Sequence, residues 1–179
     1  MDICYDTEFI EDGRTIDLIS IGMIAEDGRE LYLINSDPRV ISRAIEHDWL
    51  RENVVPSLPV KLSGIGLLWD WDQDHPDWPA VKMRERIAVE AQRFILAAPD
   101  PSLWAWYGAY DHVALCQLWG RMIDLPKGCP MWTNDLKQEA ERLGNPALPS
   151  LSAITEHNAL DDAREVAFRL KWLRKGMPA

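Results

Sequence analysis

The sequence predicts an α/β protein built on a mixed sheet with helices packed against it, and three observations carry that expectation. Three strand-like runs, ICYDTEF, DLISIGMIA and RELYLIN, follow one another across the short turns EDGRT and EDG. After Asn35, helical patterns alternate with short strand-like runs. The last helical pattern keeps its apolar residues on one side, as a helix covering a sheet must.

Taken in order, the first three runs are rich in Ile, Tyr, Phe and Leu and are separated by Asp-Gly dipeptides, a pattern that predicts an antiparallel meander. PRVISRAIEHDWL places Val40, Ile41, Ala44, Ile45 and Trp49 at helical spacing. Prolines then punctuate NVVPSLPVKLSGIG, predicting a loop that continues through the Trp- and Asp-rich LLWDWDQDHPDWP to Pro79. AVKMRERIAVEAQRFILAA predicts a long amphipathic helix, SLWAWYG a strand and DHVALCQLWGRM a helix. MWTNDL and LKQEAERLG predict a short strand and helix. The closing helix, ALDDAREVAFRLKWLRKG, aligns Leu160, Ala163, Val166, Ala167, Leu170 and Leu173 and ends in Lys and Arg, which complement its dipole.

With 179 residues, 47% of them hydrophobic, one domain over 1–179 is expected. Met1 leads almost directly into the first strand and no apolar run approaches the roughly 20 residues of a membrane helix, so a cytoplasmic protein with no membrane partner is expected. Cys4, Cys116 and Cys129 are odd in number and lack Cys-x-x-Cys spacing. That argues against a disulfide framework and a structural zinc site, leaving reduced core thiols. The formal charge of −10 is unevenly spread: residues 1–50 hold twelve acidic and four basic side chains, a balance of −8, while residues 151–179 balance at +1 with four acidic and five basic. Cations bound at a carboxylate cluster reverse the local field, so this acidity does not exclude a nucleic-acid partner.

Asp6 and Glu8 stand two apart in a strand, on one face, with α-carbons roughly 6 to 7 Å apart. Ile3, Cys4 and Tyr5 beside them argue against a solvent-facing edge. Carboxylates so placed repel unless cations hold them ionised, which makes the face a candidate metal floor. Asp111 falls where a strand gives way to a helix, a usual position for functional groups in α/β sheets, although a helix N-cap is the competing account. His157 lies on the loop entering the last helix, free to swing toward a substrate, and Asp162 follows five residues later in the first turns. Asp161 and Asp162 complementing the dipole, with Asn158 as cap, is the competing account there. His47, His75 and His112 read as structural. Oxygen ligands suit hard cations such as magnesium or manganese, and an imidazole, which titrates near neutrality, suits proton removal from water.

In this order, Asp6 with Glu8, Asp111, and His157 with Asp162 resemble the motif set of DEDDh exonucleases. YDTEFIEDG, TIDLISIGMIAEDGRELY, WAWYGAYDHVALCQLWG and HNALDDAR are similar to the polyadenylate-specific 3'-exoribonuclease AS family over nearly the whole chain. The resemblance implies an RNase H-like fold and a metal-dependent 3'-to-5' exoribonuclease that trims single-stranded, adenylate-rich RNA 3' ends to nucleoside 5'-monophosphates. It implies two Mg2+ or Mn2+ ions, with Asp6 bridging, Glu8 and Asp162 on the first and Asp111 on the second, and His157 as general base. Substrate contacts would come from Thr7, Glu8, Phe9, Tyr110 and His157. A homodimer is implied too, for which residues 54–78 are a candidate interface loop. The chain departs from the wider superfamily at Phe9, Ile10 and Tyr107, where Thr, Thr and Asn are common. Trp106 and Tyr107 read as core, and Trp69, Trp71 and Trp78 as core or interface. The alternatives are a noncatalytic RNA-binding module of the same fold and a 3'-exonuclease acting on DNA or short oligonucleotides.

Overall fold

A computed structural model describes residues 1–64, 68–152 and 157–175. The expected meander forms from β1 (Asp2–Glu11), β2 (Ile16–Ala25) and β3 (Glu30–Asn35), all antiparallel. Its turns work because Gly13 and Gly28 take φ of +79° and +88°, which glycine adopts without steric cost. β7 (Ser102–Ala105) lies parallel to β1, β8 (Asn134–Asp135) parallel to β7, and β6 (Val81–Lys82) parallel to β3, so the six strands run β6-β3-β2-β1-β7-β8. The sheet is mixed, as expected.

Side chains alternate across this sheet and divide the core. Ile3 and Tyr5 pack with Ile87, Ala91 and Ile95 of α3 (Arg84–Leu96) and Ala114 and Leu115 of α4 (Ala109–Cys116). Cys4, pointing the other way, packs with Leu136 and Ala140 of α5 (Leu136–Arg142) and Val166, Leu170 and Leu173 of α6 (Ala159–Arg174). A third cluster joins Ile10, Ile19 and Ile34 to Val40, Ile41, Ala44 and Ile45 of α1 (Pro38–Glu46).

Several elements differ from expectation. The helix expected through Trp49 breaks at His47, whose extended backbone ends α1 and whose ring nitrogen caps α2 (Asp48–Asn53) by accepting from the Leu50 N–H at 3.4 Å. Within the expected loop, β4 (Val60–Ser63) and β5 (Leu68–Trp71) pair antiparallel; residues 65–67 lie outside the described residues. Trp69 and Trp71 pack on the third cluster, and Trp69 donates its ring N–H to Ser42 Oγ at 3.0 Å, so tertiary partners convert a proline-rich loop into a hairpin. Val81 and Lys82 are strand rather than the first turn of the long helix. Cys4 and Cys129 are buried free thiols, which burial pushes up to about 12 and about 11, whereas Cys116 is only partly buried and is no core residue. Among the described residues, no helix is long and apolar enough to cross a membrane.

Candidate active site

The site begins where β7 stops. β7 pairs with β1 only as far as Cys4↔Trp104, so the next stretch of β1 has an open edge on that side. Open strand edges carry backbone groups that need partners. Asp111 supplies one: its Oδ1 accepts the Thr7 backbone N–H at 2.9 Å and the Thr7 hydroxyl at 2.7 Å. The carboxylate is buried and lies in the first turn of α4, whose cap position is Gly108. The cap account of Asp111 is therefore overturned.

Asp6 and Glu8 project from the other face of β1. Asp6 pairs with Gly22 of β2, and a Cβ at Gly22 would overlap the backbone of Ala159 and Leu160. The missing side chain lets the start of α6 rest directly on the sheet, and this close approach brings Asp162 over β1. Just beyond Glu8 the register shifts: Glu8 pairs with Ser20 and Phe9 with Leu18, leaving Ile19 unpaired. Such bulges re-aim side chains. The Phe9 ring, partly exposed, stands parallel to Tyr110 of α4 within 10°, centroids 6.0 Å apart.

His157 immediately precedes Asn158, which caps α6 by accepting from the Leu160 and Asp161 N–H groups, so that part of the competing account holds. The His157 backbone is held in place at this point. Its N–H donates to Asp162 Oδ2 at 3.0 Å, its carbonyl accepts from Ser57 Oγ at 2.9 Å, and its φ of +62° is a left-handed conformation imposed by those contacts. Its ring meets the edge of Trp49 at 4.9 Å. One ligand atom from each of Glu8, His157 and Asp162 lies within 4.8 Å of the others, so the imidazole is in range to ligate as well as to accept a proton.

These residues line one cavity of about 420 Å³ together with Trp106, Tyr107, Glu165 and Arg169. A cavity of about 520 Å³ beside Asp2, Phe168 and Arg174 is larger, but among the described residues only two carboxylates, Asp2 and Glu26, line it. Burial, then the Asp111, Glu8 and Asp162 charges, holds the Asp6 carboxyl well above the usual range. Burial and the Asp162 and Asp111 charges push Glu8 up to about 8. Asp111 is raised by burial too, against the opposing pull of the Thr7 hydrogen bonds. Carboxylates crowded out of water in this way favour whatever supplies positive charge.

Among the described residues, Arg169 is the one Arg or Lys lining the cavity. It sits over the Trp106 ring at 5.3 Å and pairs with buried Glu165 at 2.6 Å. Glu165 Oε2 also accepts the Leu151 N–H at 2.8 Å, and Arg169 reaches the Pro149 carbonyl, tying residues 149–151 to α6. Sequence reasoning missed Trp49, Ser57, Glu165 and Arg169. Trp49 continued an apolar helical pattern and so read as core, yet it is 48% exposed and faces His157. Tyr107 also read as core, yet it lines the cavity, is 62% exposed and has a φ of +53°.

Over 171 residues the chain is 43% identical to the 3'-5' exoribonuclease Rv2179c of Mycobacterium tuberculosis strain H37Rv, a match covering 93% of this chain and 89% of that protein. The 3'-5' exoribonuclease MT2234.1 of strain CDC 1551 matches equally. The chain belongs to this 3'-5' exoribonuclease family. No family model matches the chain. A yeast structure, the NOT1 MIF4G domain co-crystallized with CAF1, aligns over 97% of this chain and 79% of that chain at 12% identity, with a TM-score of 0.47, too distant to carry an argument. For a 3'-5' exoribonuclease, a cavity floored by carboxylates and rimmed by aromatic rings offers both the chemistry and the means of holding a strand end.

Proposed function

We propose that this enzyme is a DEDDh-type exonuclease on an RNase H-like fold that hydrolyses single-stranded, adenylate-rich RNA from its 3' end. One observation carries the reading: Asp6, Glu8, Asp111, His157 and Asp162, from β1, α4 and the start of α6, line the same cavity. The family supports the RNA substrate and the direction of hydrolysis. Similarity to the polyadenylate-specific AS family supports the preference for adenylate.

The donor set fits divalent cations. The carboxylates are crowded and largely desolvated, their pKa values are raised in the absence of positive charge, and their oxygens are the ligands that magnesium and manganese favour. Asp6, Glu8 and Asp162 would hold one ion, with Asp6 shared and Asp111 serving the second. When bound, such ions supply Lewis-acid activation of water and neutralise charge at the phosphodiester. The water oxygen attacks phosphorus and its proton passes to the His157 imidazole. The bond from phosphorus to the 3' oxygen of the preceding nucleotide breaks, that oxygen takes a proton from solvent to become the new 3'-hydroxyl, and a nucleoside 5'-monophosphate leaves a shortened RNA. Thr7 orients Asp111 through two hydrogen bonds, and Asp162 holds the His157 backbone. Phe9 and Tyr110 are placed to stack against the terminal bases, a contact that every base can make. A homodimer belongs to the same reading, with the stretch from Val54 to Trp78 as its candidate interface.

End-labelled oligoadenylate, mixed RNA and DNA, each incubated with magnesium, test the proposal through product polarity and identity. Asp6→Asn should lower turnover by more than about 100-fold, the upper range for groups that merely support a metal ligand. Activity persisting in that variant would remove the carboxylates from the mechanism.

A further inference from the structure

We propose that Tyr107 and Trp132 form an aromatic ledge at the cavity mouth on which the RNA strand upstream of the 3' end lies, one base stacking on each ring. The inference rests on the exoribonuclease reading and extends it beyond the terminal nucleotides. Tyr107 is 62% exposed and keeps a φ of +53°, a conformation that a bulky residue holds only when its surroundings impose it. The surroundings do so. Its carbonyl accepts the Ala109 N–H at 2.8 Å, and the next residue, Gly108, donates its N–H to Asp135 Oδ2 at 3.1 Å. A Cβ on Gly108 would come within 2.8 Å of Ala105 Cβ and 2.9 Å of Thr133 Cγ2, so the Tyr107 turn and the segment containing Trp132 are packed as one piece. The Tyr107 ring is braced by the Trp106 ring, T-shaped at 5.5 Å, which Arg169 covers in turn.

Trp132 is 67% exposed, and core packing does not explain it. RNA is the occupant that fits. Tyr107 lines the catalytic cavity, and Trp132 immediately precedes Thr133, whose side chain packs against the Tyr107 turn at Gly108, so the ledge starts where the 3' end must sit. A protein partner covering Tyr107 would close the mouth, whereas a single strand leaving the cavity crosses the ledge and keeps it open. Stacking is sequence-tolerant, as an enzyme that advances one nucleotide at a time requires.

The experiment compares kcat/KM for a dodecanucleotide of adenylate and for an adenylate dinucleotide in the wild type, Trp132→Ala and Trp132→Phe. Loss of one stacking contact should lower the dodecanucleotide-to-dinucleotide ratio roughly 10-fold in Trp132→Ala, through KM, with recovery in Trp132→Phe. A wild type that hydrolyses both substrates while the Trp132→Ala ratio is unchanged overturns the ledge and leaves the exoribonuclease reading standing. A wild type that hydrolyses neither overturns both. Sedimentation of the same proteins supplies a second arm: a smaller assembly in Trp132→Ala would make this face an interface between copies and overturn the RNA assignment.

Discussion

Burial, then the Asp162 and Asp111 charges, pushes the Glu8 carboxyl up to about 8 from an ordinary value near 4.5, so its protonation is linked to folding. The folded state then holds a proton that the unfolded chain has released, and stability of the cation-free protein falls as pH rises from about 4.5 to about 8. Asp6 is raised as well and acts in the same direction. In the presence of a chelator, thermal melting should therefore give a higher Tm at pH 5.5 than at pH 8, and Glu8→Gln should flatten the difference. A flat wild-type profile would mean that the carboxylates are more solvated than their burial implies. Thr7 offers a second test at single-residue resolution. Thr7→Val removes the 2.7 Å hydroxyl bond to Asp111 and keeps the backbone bond, and should weaken manganese binding or turnover about 10-fold. Thr7→Ser should restore it, which titration calorimetry and rate measurements can check.

At the scale of elements, the contact between β2 and α6 decides whether the site exists. Gly22 permits it, and Gly22→Ala would wedge a methyl group against the backbone at Ala159 and Leu160. Overpacking of this kind costs about 3 kcal/mol, and urea denaturation should show that loss together with reduced activity, because Asp162 moves with α6. The Glu165–Arg169 pair works on a neighbouring element. Buried Glu165 holds both Arg169 and the Leu151 N–H, so Glu165→Ala strands a charge and a donor and should destabilise by about 3 kcal/mol. The elements themselves were largely legible. Apolar runs broken by Asp-Gly turns marked the meander, whose strands β1 and β2 are buried on both faces, and period-3.6 patterns marked α3 and α6. The β4–β5 hairpin was hidden because its tryptophans are held by Ser42 and the third core cluster rather than by any local alternation.

For the whole molecule, cation binding and folding should be one equilibrium. A ligand that binds only the folded state stabilises it by about 2.7 kcal/mol at a hundred times its Kd, so magnesium or manganese should raise the Tm at pH 8, and Asp6→Asn should abolish most of that rise. The sequence by itself determined which residue types could do chemistry here. Carboxylates within apolar strands, and a histidine at a helix start, are costly or purposeless unless something binds them, and their order along the chain matched a nuclease pattern. Tertiary structure alone decided how they are held. The pairing of β7 with β1 stops at Cys4, two residues short of Asp6, which leaves the Thr7 N–H to claim Asp111. Ser57 and Trp49 fix His157 from about a hundred residues away. Local sequence encodes the cost of burying a charge, but the partner that offsets that cost is set by packing between distant segments, and no periodicity along the chain records it.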